Sequence, residues 1–271
     1  MPEAGAIERP EPERIASERS LRAFDWLNFF KADAQTTVVP YLAIFLLAVR
    51  HWSLARIGMA MAVPGFVTVL AQTPAGAVVD WTARKRALAA LSALGLGAGC
   101  LLLIATASFA AVALVQAAIT AATIVMPPAV AAISVGLVGH RAFAKRLGRN
   151  EAYSYAGAAA AAIAAGSIAY WIAAAGIFYF AAAMGVAAAV AAMSIRDKEI
   201  DPALAREADV TSDGTLGIIS IGELMRDSRI AIFTVAAILF HLANAAMLPL
   251  VGEMLTGARP ALAARACPPV S

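Results

Sequence analysis

Three sets of polar residues interrupt apolar stretches of this chain, and each is spaced for a particular chemistry. Asp33, Thr36, Thr37 and Pro40 fall at i, i+3, i+4 and i+7; Gln116, Thr120 and Thr123 share one helical face, as do His241 and Asn244. A carboxylate carried into hydrocarbon costs about 3 kcal/mol or more, and its desolvation raises its pKa toward values where it exchanges protons. Asp33 is therefore a candidate for proton coupling or solute contact, and His241 titrates near neutral pH when unperturbed. Aligned polar faces in an apolar setting mark either a hydrated path or a seam between helices. The seam reading is concrete: Thr bonds the carbonyl four residues back, and Gln or Asn glues neighbouring helices.

A second candidate is the stretch PAGAVVDWTARKRAL at 74–88, where Gly76 and Asp80 precede three consecutive cations, Arg84, Lys85 and Arg86. Gly four residues before Asp permits close approach of another helix, and Asp80 is suited to pair with a helix N-terminus or an arginine. A third is Arg149, Asn150 and Glu151, where an acid at the start of a helix is favoured by the helix dipole. Catalytic, metal and cofactor chemistry find no support. His51, His140 and His241 lie apart without HExxH spacing, Cys100 and Cys267 form no CxxC, and no GxxxxGK[ST] phosphate loop is present. The expectation is no enzyme, no cofactor and no metal.

These residues must be positioned by helices in lipid. The 271 residues are 61% hydrophobic and only 14% charged, and the mean hydropathy is +0.76. Backbone groups in a bilayer have to be satisfied internally, and a core of about 30 Å takes roughly 20 helical residues. Seven spans are predicted, over 27–49, 54–79, 86–106, 109–138, 152–174, 176–195 and 229–251. Pro64, Pro127, Pro128 and Pro249 allow bends in them. Residues 1–26 read as a polar lead, 27–195 as a six-helix bundle, 196–228 as a solvated linker, and 252–271 as a tail.

Alternate connections divide the Lys and Arg residues seventeen to four, the larger share going to the side that holds the N-terminus. That asymmetry predicts a cytoplasmic N-terminus. The net charge of +3 is spread over short clusters between apolar runs and not along one soluble face, which argues against nucleic acid as a partner.

The pattern GxxxDxxxRKR, between the second and third spans, resembles the loop signature of the major facilitator superfamily. Trp81 stands where that signature usually has a basic residue, and Ala83 where it usually has Gly. FDWLNFFKADAQTTVVPYLAIFL, GRNEAYSYAG and FHLANAAMLPLVGE are similar to stretches of a bacterial branch of the family, and the likeness covers about residues 24–258. It implies an all-α integral membrane protein of the bacterial inner membrane, here a six-helix N-terminal bundle of two inverted three-helix repeats plus a seventh transmembrane helix. It further implies a small solute, with a coupling proton as a candidate co-substrate, moved by alternating access through a midplane site. The first, fourth and seventh helices would line the cavity, and the third and sixth would turn toward lipid. Asp80 and Arg84 would form a conformational latch with Lys85 and Arg86, and Arg149 and Glu151 would face that loop as partners.

Drug/proton antiporters of the family usually carry an Arg in the fourth helix and a Gly-Pro motif in the fifth, and this chain has neither. Twelve spans with loops need about 400 residues at roughly 20 per span, so a chain of 271 residues is expected to be truncated after the seventh. The alternative to a transporter is then a non-transporting membrane fragment or assembly subunit. Oligomeric state is not legible in the sequence.

Overall fold

The computed structural model describes residues 16–31, 38–172, 175–202, 204 and 228–245. These residues are helical or lie in turns and short connections; none forms a strand. Two units are present, 1–207 and 208–271. The first contains α1 (Glu18–Lys31), α2 (Val38–Ala48), α3 (Leu54–Trp81), α4 (Lys85–Ala105), α5 (Phe109–Thr123), α6 (Met126–Trp171) and α7 (Gly176–Ser194); the second contains α8 (Ser228–Ala245).

Four helical stretches are long and apolar enough to cross a membrane: Leu54–Trp81, Lys85–Ala105, Phe109–Trp171 and Gly176–Ser194. They hold the predicted second to sixth spans, because Phe109–Trp171 carries both the fourth and the fifth. It is broken by a turn at Ile124 and Val125, after which Pro127 and Pro128 open α6, where their missing N–H groups cost no helical bond. It is bent again at Gly139, whose φ of 71° suits a residue without a Cβ. Pro64 and Pro74 both lie inside α3.

Two boundaries differ from the sequence reading. The first helix begins at Glu18 and not at 27, so the last part of the polar lead is folded. The segment after Gly139 is helical from His140, well before 152. In both cases charged turns extend an apolar span, which hydropathy alone does not register. The predicted linker also starts on folded chain, since a 3₁₀ turn covers Asp197–Glu199 and Asp201 N donates to Gly136 O at 2.9 Å.

α4 and α7, the predicted third and sixth spans, form the axis of the first unit and contribute to both of its apolar clusters. At one end Ala89 and Ala93 of α4 and Ala188 and Ala192 of α7 meet Phe24 and Leu27 of α1 and Ile133 and Leu137 of α6. At the other, Leu96, Cys100 and Leu103 of α4 and Phe178 and Ala181 of α7 meet residues of α2, α3 and α5. The α4–α7 crossing is made by small residues. A Cβ on Gly185 would stand 2.6 Å from Ala93 O, and one on Gly97 would stand 3.2 Å from Ala182 O. Lipid removes most of the hydrophobic drive between helices, so close backbone approach of this kind is what holds them. The opposite side of α4 exposes Leu91, Leu94, Leu101 and Leu102, a face suited to lipid.

Cations close the ends of this axis. Arg86 donates to Ile195 O at 2.7 Å and Met193 O at 3.3 Å and pairs with Asp197 at 3.0 Å, satisfying carbonyls that the end of α7 leaves open. At the far end Arg50 donates to Ile104 O at 2.7 Å, and Arg56 lies 4.2 Å over the Trp52 ring. Glu199 ties the turn after α7 to the start of α1, accepting from Ser17 N at 3.0 Å and Ser17 Oγ at 2.8 Å.

Partial loss of water works against ionisation of Glu199, but donation by Ser20, Ser17 and Arg196 outweighs it and holds the carboxyl below its usual range. A depressed carboxylate stabilises the fold above its unfolded pKa, and that contribution is lost as pH falls through the folded value. Thermal unfolding followed from pH 7 to pH 3 should therefore show an acid-side loss of stability that Glu199→Gln reduces. Identical pH profiles for the two proteins would contradict this assignment.

Candidate functional site

The signature loop divides into two parts with different work. Asp80 and Arg84 are exposed, and neither forms an ion pair among the described residues. Lys85 is buried at the start of α4 and donates to Val79 O, and Arg86 is committed to the end of α7. A Cβ added at Gly76 would meet no atom within 4 Å. The latch expected of five residues thus has two free charges, Asp80 and Arg84, standing on a fixed base.

Gln116 is buried on α5 between Val112 and Ile119 at helical spacing, and its Nε2 has no hydrogen-bond partner among the described residues. Thr120 Oγ1 donates to Gln116 O at 2.9 Å and Thr123 Oγ1 to Ile119 O at 2.8 Å, the back-bonding that makes Thr tolerable in an apolar helix. Asp33, Thr36 and Thr37 lie outside the described residues. His241 and Asn244 fall in α8, but their side chains also lie outside them.

A buried ionic cluster, absent from the sequence reading as a site, joins α1 to both arms of α6. Asp25 is 2% exposed; its Oδ1 accepts from Arg146 Nη2 at 2.6 Å and its Oδ2 from Arg149 Nη2 at 2.7 Å. Arg146, 6% exposed, also donates from Nε to Asn150 Oδ1 at 2.8 Å and lies 4.8 Å over the Phe24 ring. Asn150 Nδ2 donates to Ser134 Oγ at 2.8 Å, and Ser134 Oγ donates to Val130 O at 2.8 Å. Ser134 precedes the Gly139 bend and Asn150 follows it, so the chain of bonds fixes the angle between the two arms. Both Asp25 oxygens are engaged, which makes the cluster a structural joint and not an open ligand site.

Arg149 therefore pairs with Asp25, whereas the resemblance aimed it at the signature loop. Glu151 is exposed and interacts with Lys31 of α1. One signal was available: Arg146 and Asn150 are one helical turn apart, and Asp25 is an acid flanked by Phe24, Trp26 and Leu27.

The family model of the Major Facilitator Superfamily matches residues 26–264. The chain belongs to the major facilitator superfamily. It is 40% identical, over 245 residues, to uncharacterized MFS-type transporters from two strains of Mycobacterium tuberculosis. The aligned region takes in 90% of this chain and 57% of each relative, so the chain spans little more than half their length. No solved structure shows a significant match. Membership in this superfamily makes the chain an all-α integral membrane protein of a transporter family, and the four long apolar stretches accord with it.

Proposed function

We propose that this major facilitator protein works as a secondary transporter of a small solute by alternating access, with its N-terminus on the cytoplasmic side of a bacterial inner membrane. Family membership and the seventeen-to-four division of cations support this reading. The observation that carries it is Gln116. An amide donor buried in an apolar helix without a partner costs free energy, and solvent or solute entering between helices in another state would satisfy it.

Gln116 and Thr120 join Asp33, Thr36, Thr37, His241 and Asn244 as cavity or coupling groups in this proposal, Asp33 and His241 being those able to carry a proton. The latch role rests on Asp80 and Arg84, which are free to form an ion pair in one state and release it in the other. The proposal keeps the domain division read from the sequence, with the first helix starting at Glu18 and the linker following the turn at Asp197–Glu199.

Single-cysteine labelling tests the reading on the chain with both native cysteines replaced. Gln116→Cys should react with a membrane-impermeant maleimide added to either face of sealed vesicles, and Asp80→Ala should change the ratio of the two rates severalfold. Absence of labelling from both faces would make Gln116 an interhelical seam residue and remove the main support for the proposal.

A further inference from the structure

After the bend at Gly139 the chain carries an exposed basic stripe. Arg141, Lys145 and Arg149 stand at i, i+4 and i+8 on α6, over about 12 Å of helix. Arg149 shares its charge with Asp25 and is still 55% exposed. Arg141 and Lys145 are exposed and have no acidic partner among the described residues. With Arg146 and Arg149 both set against the single carboxylate of Asp25, the local balance stays positive even at the joint.

The same helix fixes the depth of the stripe. From 152 to 169 it holds no charged residue, and it ends in the exposed aromatic pair Tyr170 and Trp171, whose rings are 4.9 Å apart. Arg149 and Tyr170 are separated by about 30 Å of helix, the thickness of the hydrocarbon core. When Tyr170 and Trp171 sit at one interface, where such rings concentrate, Arg149 reaches the opposite headgroup layer with Lys145 one turn beyond it. Tyr155 and Ile163, 73% and 72% exposed, continue the side of the helix that carries the stripe as apolar surface for acyl chains.

We infer that Arg141, Lys145 and Arg149 bind the phosphate of an anionic phospholipid of the adjoining leaflet, making the connection between the fourth and fifth spans a lipid-recognition surface. Free cations on a helix that runs directly into the hydrocarbon favour a lipid headgroup over an acidic protein segment, since the phosphate and its acyl chains match the charge and apolar parts of the surface together. This inference goes beyond transport and does not depend on it.

The test uses the full chain purified in neutral detergent and titrated with mixed micelles of phosphatidylglycerol or phosphatidylcholine, retained lipid being read by native mass spectrometry. Phosphatidylglycerol should be held about 25-fold more tightly, because Arg141 and Lys145 near an anionic surface each contribute roughly a fivefold factor. R141Q/K145Q should bring the two lipids within about twofold, and the charge-conserving R141K/K145R should keep the preference. Equal retention of both lipids by the unsubstituted chain would overturn the inference, as would an unchanged preference in R141Q/K145Q. Displacement of phosphatidylglycerol by an equal concentration of inorganic phosphate would also overturn it, by showing an anion site indifferent to the bilayer.

Discussion

Asp25→Ala is expected to destabilise the protein by about 3–5 kcal/mol, the cost of leaving a buried charge without its partner. Arg146 is 6% exposed and has Asp25 as its ion-pair partner, so the substitution strands a guanidinium among Phe24, Asn150 and the helix backbones. Against a net stability of about 5–15 kcal/mol this is a large fraction, and thermal unfolding of the purified chain should show a midpoint lower by about 6–20 °C. Arg149→Gln should do much less, since Arg149 is 55% exposed and water replaces part of what it loses. Removing both charges with Asp25→Leu and Arg146→Met should recover most of the loss, as replacement of buried ion pairs by apolar groups often does. A midpoint for Asp25→Ala within two or three degrees of the original would show that the cluster does not hold α1 to α6.

The sequence made the apolar axis legible and the ionic joint illegible, for separable physical reasons. The spans predicted over 54–79, 86–106 and 176–195 correspond closely to Leu54–Trp81, Lys85–Ala105 and Gly176–Ser194, because polar residues bound the first two apolar runs and the C-terminal end of the third, and helices are the default there. α1 and the second arm of α6 start earlier than hydropathy indicates because their outer turns are held by Glu199, Asp25 and Asn150, contacts between residues more than a hundred positions apart or across a bend. Local spacing encodes none of these. Within the candidate site, Thr120 and Thr123 follow the back-bonding that spacing allowed, whereas Gln116 gains its interest from an unpaired donor that only the packed structure reveals. In the signature loop the sequence placed Asp80, Arg84, Lys85 and Arg86 together in one latch, led by Asp80 and Arg84. The structure separates Asp80 and Arg84, which are free, from Lys85 and Arg86, which close helix ends.

Gly157 belongs to GRNEAYSYAG, a stretch whose family likeness was visible while its mechanical role was not. α1 crosses α6 so closely here that a Cβ at Gly157 would overlap the carbonyl of Phe29, and its next neighbour would be Phe29 C at 2.8 Å. Backbone cannot rotate aside as a side chain does, so the helices have to separate or shift along each other. Gly157→Ala should therefore cost more than the ~1–3 kcal/mol typical of an overpacked core, despite the better helix propensity of Ala. Gly65→Ala is the control, because nothing lies within 4 Å of a Cβ at that position and propensity alone should leave it neutral or about 1 kcal/mol more stable. The joint and the crossing bind the same two helices, Arg149 lying about two turns from Gly157, so their losses should not add. Once Gly157→Ala has moved α1, the Asp25 bonds are already stretched, and Asp25→Ala should cost less in that background by more than 0.5 kcal/mol. A double-mutant cycle on thermal midpoints measures that coupling, and strict additivity would mean that the ionic joint and the glycine crossing hold α1 independently.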